Sequence, residues 1–325
     1  PLIGAILGGK YLVEYRIARG GSGAVYRAIQ QPIQRPVAIK VMRPDLSPRE
    51  QEAFEDRFLK EASQMGNLQH PNVVTVHDFG RTEDGTCFIV MELLEGETLK
   101  EALRHGPMSL EQGIDISLQL TRGLRHAHRA GMIHRDIKAG NVMLIPDGEG
   151  RLRAKLLDFG LVKASGEDSV TDDGVFMGTP HYASPEQARG LPADHRSDIY
   201  SLGVLMYRIF TGRLPYYSRN PMSIAIAHIQ EPFPIMARRA PEVDVPEEVE
   251  AVVRCCMEKE AADRYADTDA LFLALNGLRQ QLTPALAPVE TVSMKIEEPP
   301  RRRTGLLIFG CLLYTSDAAD EHSWG

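Results

Sequence analysis

The sequence is short of several things, and each shortage removes a class of function. Its four cysteines, Cys87, Cys255, Cys256 and Cys311, include no CxxC spacing, so neither a disulfide framework nor a zinc site is indicated. Reduced thiols in a cytosolic setting are the expectation. Basic charge is short as well: 37 Lys and Arg stand against 44 Asp and Glu, a net charge of −7, and the one basic run is RRR at 301–303. Nucleic-acid binding needs a clustered cationic face that releases phosphate counterions, so no nucleic-acid partner is expected. The residues from Pro1 to Gly9 lack the basic start and long apolar stretch of a signal peptide, so the catalytic part is expected inside the cell. A glycine cluster is present but no GK[ST] accompanies it and no helix pattern follows, which excludes both the Walker loop and the dinucleotide fingerprint.

What is there reads as a two-lobed globular protein. A chain of 325 residues with 43% hydrophobic and 25% charged residues is longer than one core usually supports, and the cleft between two lobes is the natural place for chemistry. From about Tyr11 to Val90 the pattern is strand-like with one clear helix, and from about Leu99 to Leu278 helical patterns dominate. Ser47-Pro48-Arg49-Glu50 has the form of a capping box with proline at the first helical position, so a helix is predicted to begin there. Its apolar stripe is Phe54, Phe58, Ala62 and Met65, and Glu61 falls on the same inward face, where an unpaired carboxylate is costly. In RPVAIKVM, Val37, Ile39 and Val41 alternate with Ala38 and Lys40, so Lys40 is predicted on the opposite face of a strand and is the candidate partner of Glu61.

Upstream, IARGGSGAVYRA sets Gly20, Gly21 and Gly23 between two strand-like runs. Glycines there let backbone amides approach an anion, although a plain hairpin would look similar. Downstream, HRDIKAGN (134–141) brings Asp136, Lys138 and Asn141 into one segment, and KLLDFG adds a second acid, Asp158, before Phe159 and Gly160. Asn141 and Asp158 are hard oxygen donors of the kind magnesium takes, with positions left over for water and phosphate oxygens.

Taken in order, glycine loop, Lys40, Glu61, Asp136, Asn141 and Asp158, the sequence resembles the protein kinases over roughly residues 10–280. GTPHYASPEQA and SDIYSLGVLMYRIFTGRLPY are similar to the bacterial eukaryotic-like (Hanks-type) Ser/Thr kinases. The resemblance implies an α+β bilobal kinase fold, with a small β-rich N-lobe carrying one regulatory helix (about 11–94) and a larger, mainly helical C-lobe (about 95–280). It implies ATP and Mg2+, or Mn2+, as cofactors, and transfer of the γ-phosphoryl to Ser or Thr hydroxyls of protein substrates. A kinase homodimer is a further implied partner. By the same resemblance Lys40 holds the phosphates and pairs with Glu61, Asp136 is the base, Lys138 steadies the transferring group, and Asn141 and Asp158 hold the metal. The nucleotide is implied to contact the loop residues Ala18, Arg19, Gly20, Gly21, Ser22 and Gly23. Its adenine is implied to lie under Val25 and Ala38 and above Met143, with backbone contacts from Glu92 to Leu94 next to Met91. At Val25, Ala38 and Met143 ordinary core packing would ask for the same residues. Glu186 and Arg264 match the family's buried ion pair, Asp198 the acid that braces the catalytic loop, and Thr179 the threonine near the base. Thr171, and secondarily Ser169, are expected autophosphorylation sites, with Arg135 and Lys163 as the phosphate pocket. A pseudokinase acting as scaffold or nucleotide sensor is the rival reading.

Two positions depart from the family pattern: Ala18 stands where the first loop glycine is usual, and Ala139 where a proline follows the loop lysine. Residues 1–10 read as a lead and 281–303 as a proline-spotted linker. Residues 304–314 read either as the start of a truncated membrane helix, with RRR as its cytoplasmic flank, or as a short natural C-terminus. The polar tail at 315–325 resembles non-native read-through. The kinase domain is therefore expected in the cytoplasm, anchored to the inner face of the membrane if the first reading of 304–314 holds.

Overall fold

In the computed structural model, residues 2–20, 23–42, 48–82, 85–159 and 180–282 are described, with side chains omitted at 48–53 and 57. Pro1–Ala285 forms one compact unit. Its first part is an antiparallel sheet of β1 (Ile6–Leu7), β2 (Tyr11–Gly20), β3 (Gly23–Gln30), β4 (Arg35–Met42), β5 (Val76–Arg81) and β6 (Cys87–Glu92), with α1 (Pro48–Gly66) between β4 and β5 in sequence. The spatial order is β1-β2-β3-β4-β6-β5. α1 begins at Pro48, where the sequence predicts a helix start; Ser47 lies outside the described residues.

The sheet has two buried faces, which is why β4 reads as a nearly continuous apolar run. Val37, Ile39 and Val41 pack with Tyr26, Phe88 and Val90 on one side. On the other, Met42 and Ile89 pack against Phe54, Phe58, Ala62 and Met65 of α1. Directly opposed residues on neighbouring strands share a face. Lys40 opposes Val25 on β3 and Ile89 on β6, so it lies on the α1 side, 7% exposed. Truncating a ring such as Phe58, which is fully buried, would cost about 3–5 kcal/mol.

The second part opens with β7 (Glu97–Thr98), α2 (Leu99–Ala102) and α3 (Leu110–Arg129), followed by β8 (Val142–Pro146) and β9 (Leu152–Leu156). β7, β8 and β9 form a small sheet in that order. Then come α4 (Pro185–Ala188), α5 (His195–Thr211), α6 (Pro221–Gln230), α7 (Met236–Arg239), α8 (Glu247–Cys256) and α9 (Thr268–Leu282). α5 is buried along almost its whole length, the mark of a helix at the centre of a core and not at its edge. It is capped by the Asp194 side chain at its start and by Gly212, at φ +70°, at its end. Gly203 of α5 faces α8: a Cβ there would fall 2.6 Å from the Cβ of Cys256, so only glycine permits this spacing.

Candidate active site

The stretch from His134 to Asn141 links α3 to β8 without strand structure, ending in a single 3-10 turn at Ala139–Asn141. Its shape is imposed from α5. Asp198, 1% exposed, accepts the backbone N–H groups of His134 (2.7 Å) and Arg135 (2.8 Å) and contacts His128 Nε2 at 2.8 Å. A carboxylate buried this deeply needs such donors, and they hold Arg135 in a left-handed backbone, φ +62°, that costs a non-glycine residue about 1–3 kcal/mol. Gln187 of α4 adds a hydrogen bond to the Arg135 carbonyl at 3.0 Å.

Within this frame the Asp136 carboxylate meets, among the described residues, the donors Lys138 Nζ at 2.6 Å and Asn141 Nδ2 at 2.9 Å, and Asn141 Nδ2 also bonds the Asp136 carbonyl at 2.9 Å. His134 lies beneath, fully buried, and burial lowers its pKa, so it is neutral. Its Nε2–H donates to the Leu157 carbonyl at 2.8 Å while Nδ1 accepts the Asp136 N–H at 3.3 Å, and its ring sits 4.5 Å from that of Phe159. Thus His134 ties the Asp136 loop to the Asp158 turn. Sequence reasoning gave His134, His128 and Gln187 no role, because their partners lie far along the chain and no spacing announces them.

Asp158 also has a left-handed backbone, φ +48°, which turns its carboxylate to Lys40: Nζ to Oδ2 is 2.9 Å. This corrects the expected Lys40–Glu61 pair. Glu61 Oε1 lies instead 4.0 Å from Arg135 Nη1. Asp158 and Arg135, the two residues that displace the expected pairing, both have left-handed backbones.

Asn141 and Asp158 suit a hard divalent ion. With its amide nitrogen committed to Asp136, Asn141 keeps its carbonyl oxygen for a ligand, and the Asp158 side chain is one-third exposed. No group of three or more His, Cys, Asp or Glu among the described residues could hold a metal unaided. A two-residue set of this kind leaves coordination positions to phosphate oxygens.

The remaining expected nucleotide contacts fall on β2 to β4, at and just past the end of β6, and on β8. β2 and β3 form the hairpin, with Gly20 opposite Gly23 and Ala18 opposite Val25. Gly21 and Ser22 lie outside the described residues. Gly23 is at φ +141°, and a Cβ there would run into the Val41 carbonyl oxygen, so the hairpin lies too close to β4 for any side chain. Arg19 and Ala18 are exposed and Val25 is half-buried. Ala38 opposes Met91 across β4 and β6, and Met143 of β8 opposes Lys155 of β9. Glu92 accepts from Lys155 Nζ (2.6 Å) and the Thr75 N–H (2.7 Å). Burial pushes its pKa up, but those bonds outweigh it and the net shift is down, so Glu92 stays ionised beside half-buried Leu94. Ala139, where proline is usual, is buried without strain in the 3-10 turn.

Farther from the cleft, Arg264 grips Glu186 with two parallel 2.8 Å bonds. Its other donors go to the carbonyls of Glu258, Arg196 and Lys259, so a guanidinium 4% exposed is fully satisfied. Burial pushes the Glu186 pKa up, but the bonds from Arg264 and Ser197 outweigh it and hold it at about 2. Lys163, Ser169, Thr171 and Thr179 lie outside the described residues.

The family described as the protein kinase domain matches residues 11–273. The chain belongs to the protein kinase family. Among named relatives of this kinase, the serine/threonine-protein kinase PknL of Mycobacterium tuberculosis is 41% identical over 285 residues, covering 87% of this chain and 69% of the relative. PknA of the same organism is 38% identical over 270 residues, 82% of this chain and 60% of that one. The crystal structure of the Mycobacterium tuberculosis PknI kinase domain superimposes with a TM-score of 0.66 at 24% identity, over 85% of this chain and 99% of the other, which shows the shared bilobal fold. This kinase is thus a bacterial Hanks-type enzyme that transfers phosphate from ATP to Ser or Thr of protein substrates, with a divalent metal. Nothing in these likenesses supports the scaffold alternative.

Proposed function

We propose that Asp136 is the base that receives the substrate hydroxyl proton, that Lys138 neutralises charge on the transferring phosphoryl, and that Asn141 and Asp158 hold Mg2+. Lys40 clamps the α and β phosphates. The observation that carries this reading is the Asp136 carboxylate held by both Lys138 and Asn141, with the Lys40–Asp158 pair as the second cluster. Bound Mg2+ would neutralise phosphate charge, and the side chains named here orient the reactants, which is most of what phosphoryl transfer requires. Val25, Ala38, Met143 and the backbone from Glu92 to Leu94 make the adenine slot.

Activation is proposed to run through Thr171, or Ser169, docking a phosphate on Arg135 and Lys163. The Glu61–Arg135 contact supports a particular order of events: a phosphate that takes Arg135 releases Glu61 toward Lys40. The linker and the run GLLIFGCLLY after RRR at 301–303 support a kinase held at the inner face of a membrane. Among the described residues no helix is long and apolar enough to cross one. Reading the gene past codon 310 tests the anchor, which a stop codon soon after the present end would remove.

Asp158→Asn tests the metal assignment, since it keeps volume and removes a charged ligand. Transfer from ATP is expected to fall by on the order of 10³, with Mg2+-dependent nucleotide binding lost and thermal unfolding little changed. Turnover close to wild type would refute the assignment.

A further inference from the structure

The helical region carries a surface pocket of about 400 Å³ on elements other than those that bear Lys40, Asp136 and Asp158. It is lined by Arg208, Gly212, Arg213, Leu214, Tyr217 and Arg239. Every charged group in that lining is a guanidinium. Arg213 is neutralised, bonding Glu242 and the Arg239 carbonyl, both at 2.6 Å. Half-buried Arg208 donates to the neutral hydroxyl of Tyr182 at 2.8 Å. Neither Arg208 nor Arg239 has a carboxylate partner among the described residues. Two uncompensated like charges, Arg208 and Arg239, on one cavity repel one another unless an anion enters, and this happens in a chain whose net charge is −7. A guanidinium fork is the group best shaped to take a carboxylate or phosphate in two parallel bonds.

The pocket also adjoins the end of the segment that leads from the phosphoacceptor. Tyr182 touches Arg208 and is fixed by Ser201 Oγ donating to its carbonyl at 2.7 Å, and the His181 ring lies 6.2 Å from that of Tyr217. Thr179, which matches the threonine near the base, is only three residues before Tyr182, a reach of at most about 10 Å.

We propose that this pocket reads an acidic side chain, Asp, Glu or a phosphorylated residue, near the phosphoacceptor of a protein substrate. The proposal rests on the kinase reading of the same protein and names what it selects. One segment of fitting composition is in the sequence itself: GEDSVTDDG at 166–174 places Glu167, Asp168, Asp172 and Asp173 around Ser169 and Thr171. That segment of a second copy is the occupant to which the proposal commits, and other acidic substrates share its chemistry.

The test uses the full chain with two peptides, GEDSVTDDG and the same peptide with its four acids changed to Asn or Gln. Wild type is expected to favour the acidic peptide by about 10-fold in kcat/KM, mostly through KM, as one good charge-paired contact gives. Arg208→Ala and, separately, the exposed Arg239→Ala should bring that ratio toward one. Arg208→Glu with Arg239→Glu should favour a lysine-substituted peptide. Fluorescence anisotropy of the labelled peptides gives the same ratio as binding, so the pocket is tested even if turnover is lost. A wild-type ratio near one, or a ratio untouched in Arg239→Ala and the double variant, overturns the proposal. Failure to phosphorylate any peptide while the acidic preference in binding persists would count against the kinase assignment alone.

Discussion

Asp136, Lys138 and Asn141 meet within hydrogen-bonding distance inside one eight-residue stretch, whereas Lys40, Glu61 and Asp158 come from a strand, a helix and a turn widely separated in sequence. The first group is braced by Asp198 from the buried helix α5 and by Gln187 from α4. The second depends on where α1 and the Asp158 turn stand, and its ion pairs among the described residues are between Lys40 and Asp158 and between Glu61 and Arg135. A short loop pinned to a core has one arrangement of its charges. Charges carried on separate elements have several, and the partners they choose can change with what binds between them.

The sharpest way to break this contrast is Lys40→Met. If Lys40 clamps phosphates as well as pairing with Asp158, transfer should drop by on the order of 10³, measured as phosphate incorporated into a generic protein substrate. Hydrogen exchange in the stretch 134–141 should stay as in wild type, because none of its bracing involves Lys40. An unchanged rate would make Lys40 a structural residue only, and exchange that rises in both places would show that the two groups are one cooperative unit.

The same contrast explains what was legible in the sequence. The two-lobed α+β architecture, the start of α1 at Pro48 and the burial of Phe54, Phe58, Ala62 and Met65 follow from hydrophobic period and proline placement. Lys40 on the α1 side of β4 follows from alternation along the strand. Those are local signals. The partner of Lys40 was not legible, because alternation gives a face and not a rotamer, and it says nothing of the positive φ at Asp158 that delivers a competing carboxylate. His134 and Gln187 escaped notice for a related reason: each acts through a backbone carbonyl, of Leu157 and Arg135, and a carbonyl leaves no mark in the sequence. The arginine pocket was equally hidden, since Arg208, Arg213 and Arg239 come together only through the turn after α5 and the placement of α7.

A smaller effect sharpens the exchange of partners. If phosphate on Thr171 draws Arg135 from Glu61, Thr171→Ala should lower transfer by about 10-fold, the worth of roughly one charge-assisted contact. Glu61→Gln should weaken the attraction that holds Arg135 and make the enzyme less dependent on phosphorylation, at some loss of maximal rate. Mass spectrometry with and without phosphatase treatment, alongside rates of the single and double variants, checks this. Equal rates for wild type, Thr171→Ala and Arg135→Ala would mean that activation does not use this loop.

The smallest effect concerns pH and asks whether the helical region is held by groups that must keep one protonation state. His228 of α6 is fully buried, with Nδ1 accepting from the Tyr200 hydroxyl at 2.9 Å and Nε2–H donating to the His181 carbonyl at 3.2 Å. Burial, helped by the positive Lys259 nearby, lowers its pKa to about 3. In the unfolded chain it returns to about 6.5. Between those values the unfolded state binds a proton that the folded state refuses, so stability falls as pH falls, by up to about 1.4 kcal/mol per pH unit from this group. Glu186, at about 2 in the fold, loses its contribution only below the ordinary glutamate range of about 4.3. The window from pH 6.5 to 4.5 therefore isolates the histidines, with His134 acting in the same direction. His228→Gln keeps an acceptor and a donor in place and removes the titration. Urea unfolding at several pH values in that window should show a shallower loss of stability in the variant than in wild type. Parallel curves would mean that His228 finds its proton without opening the core.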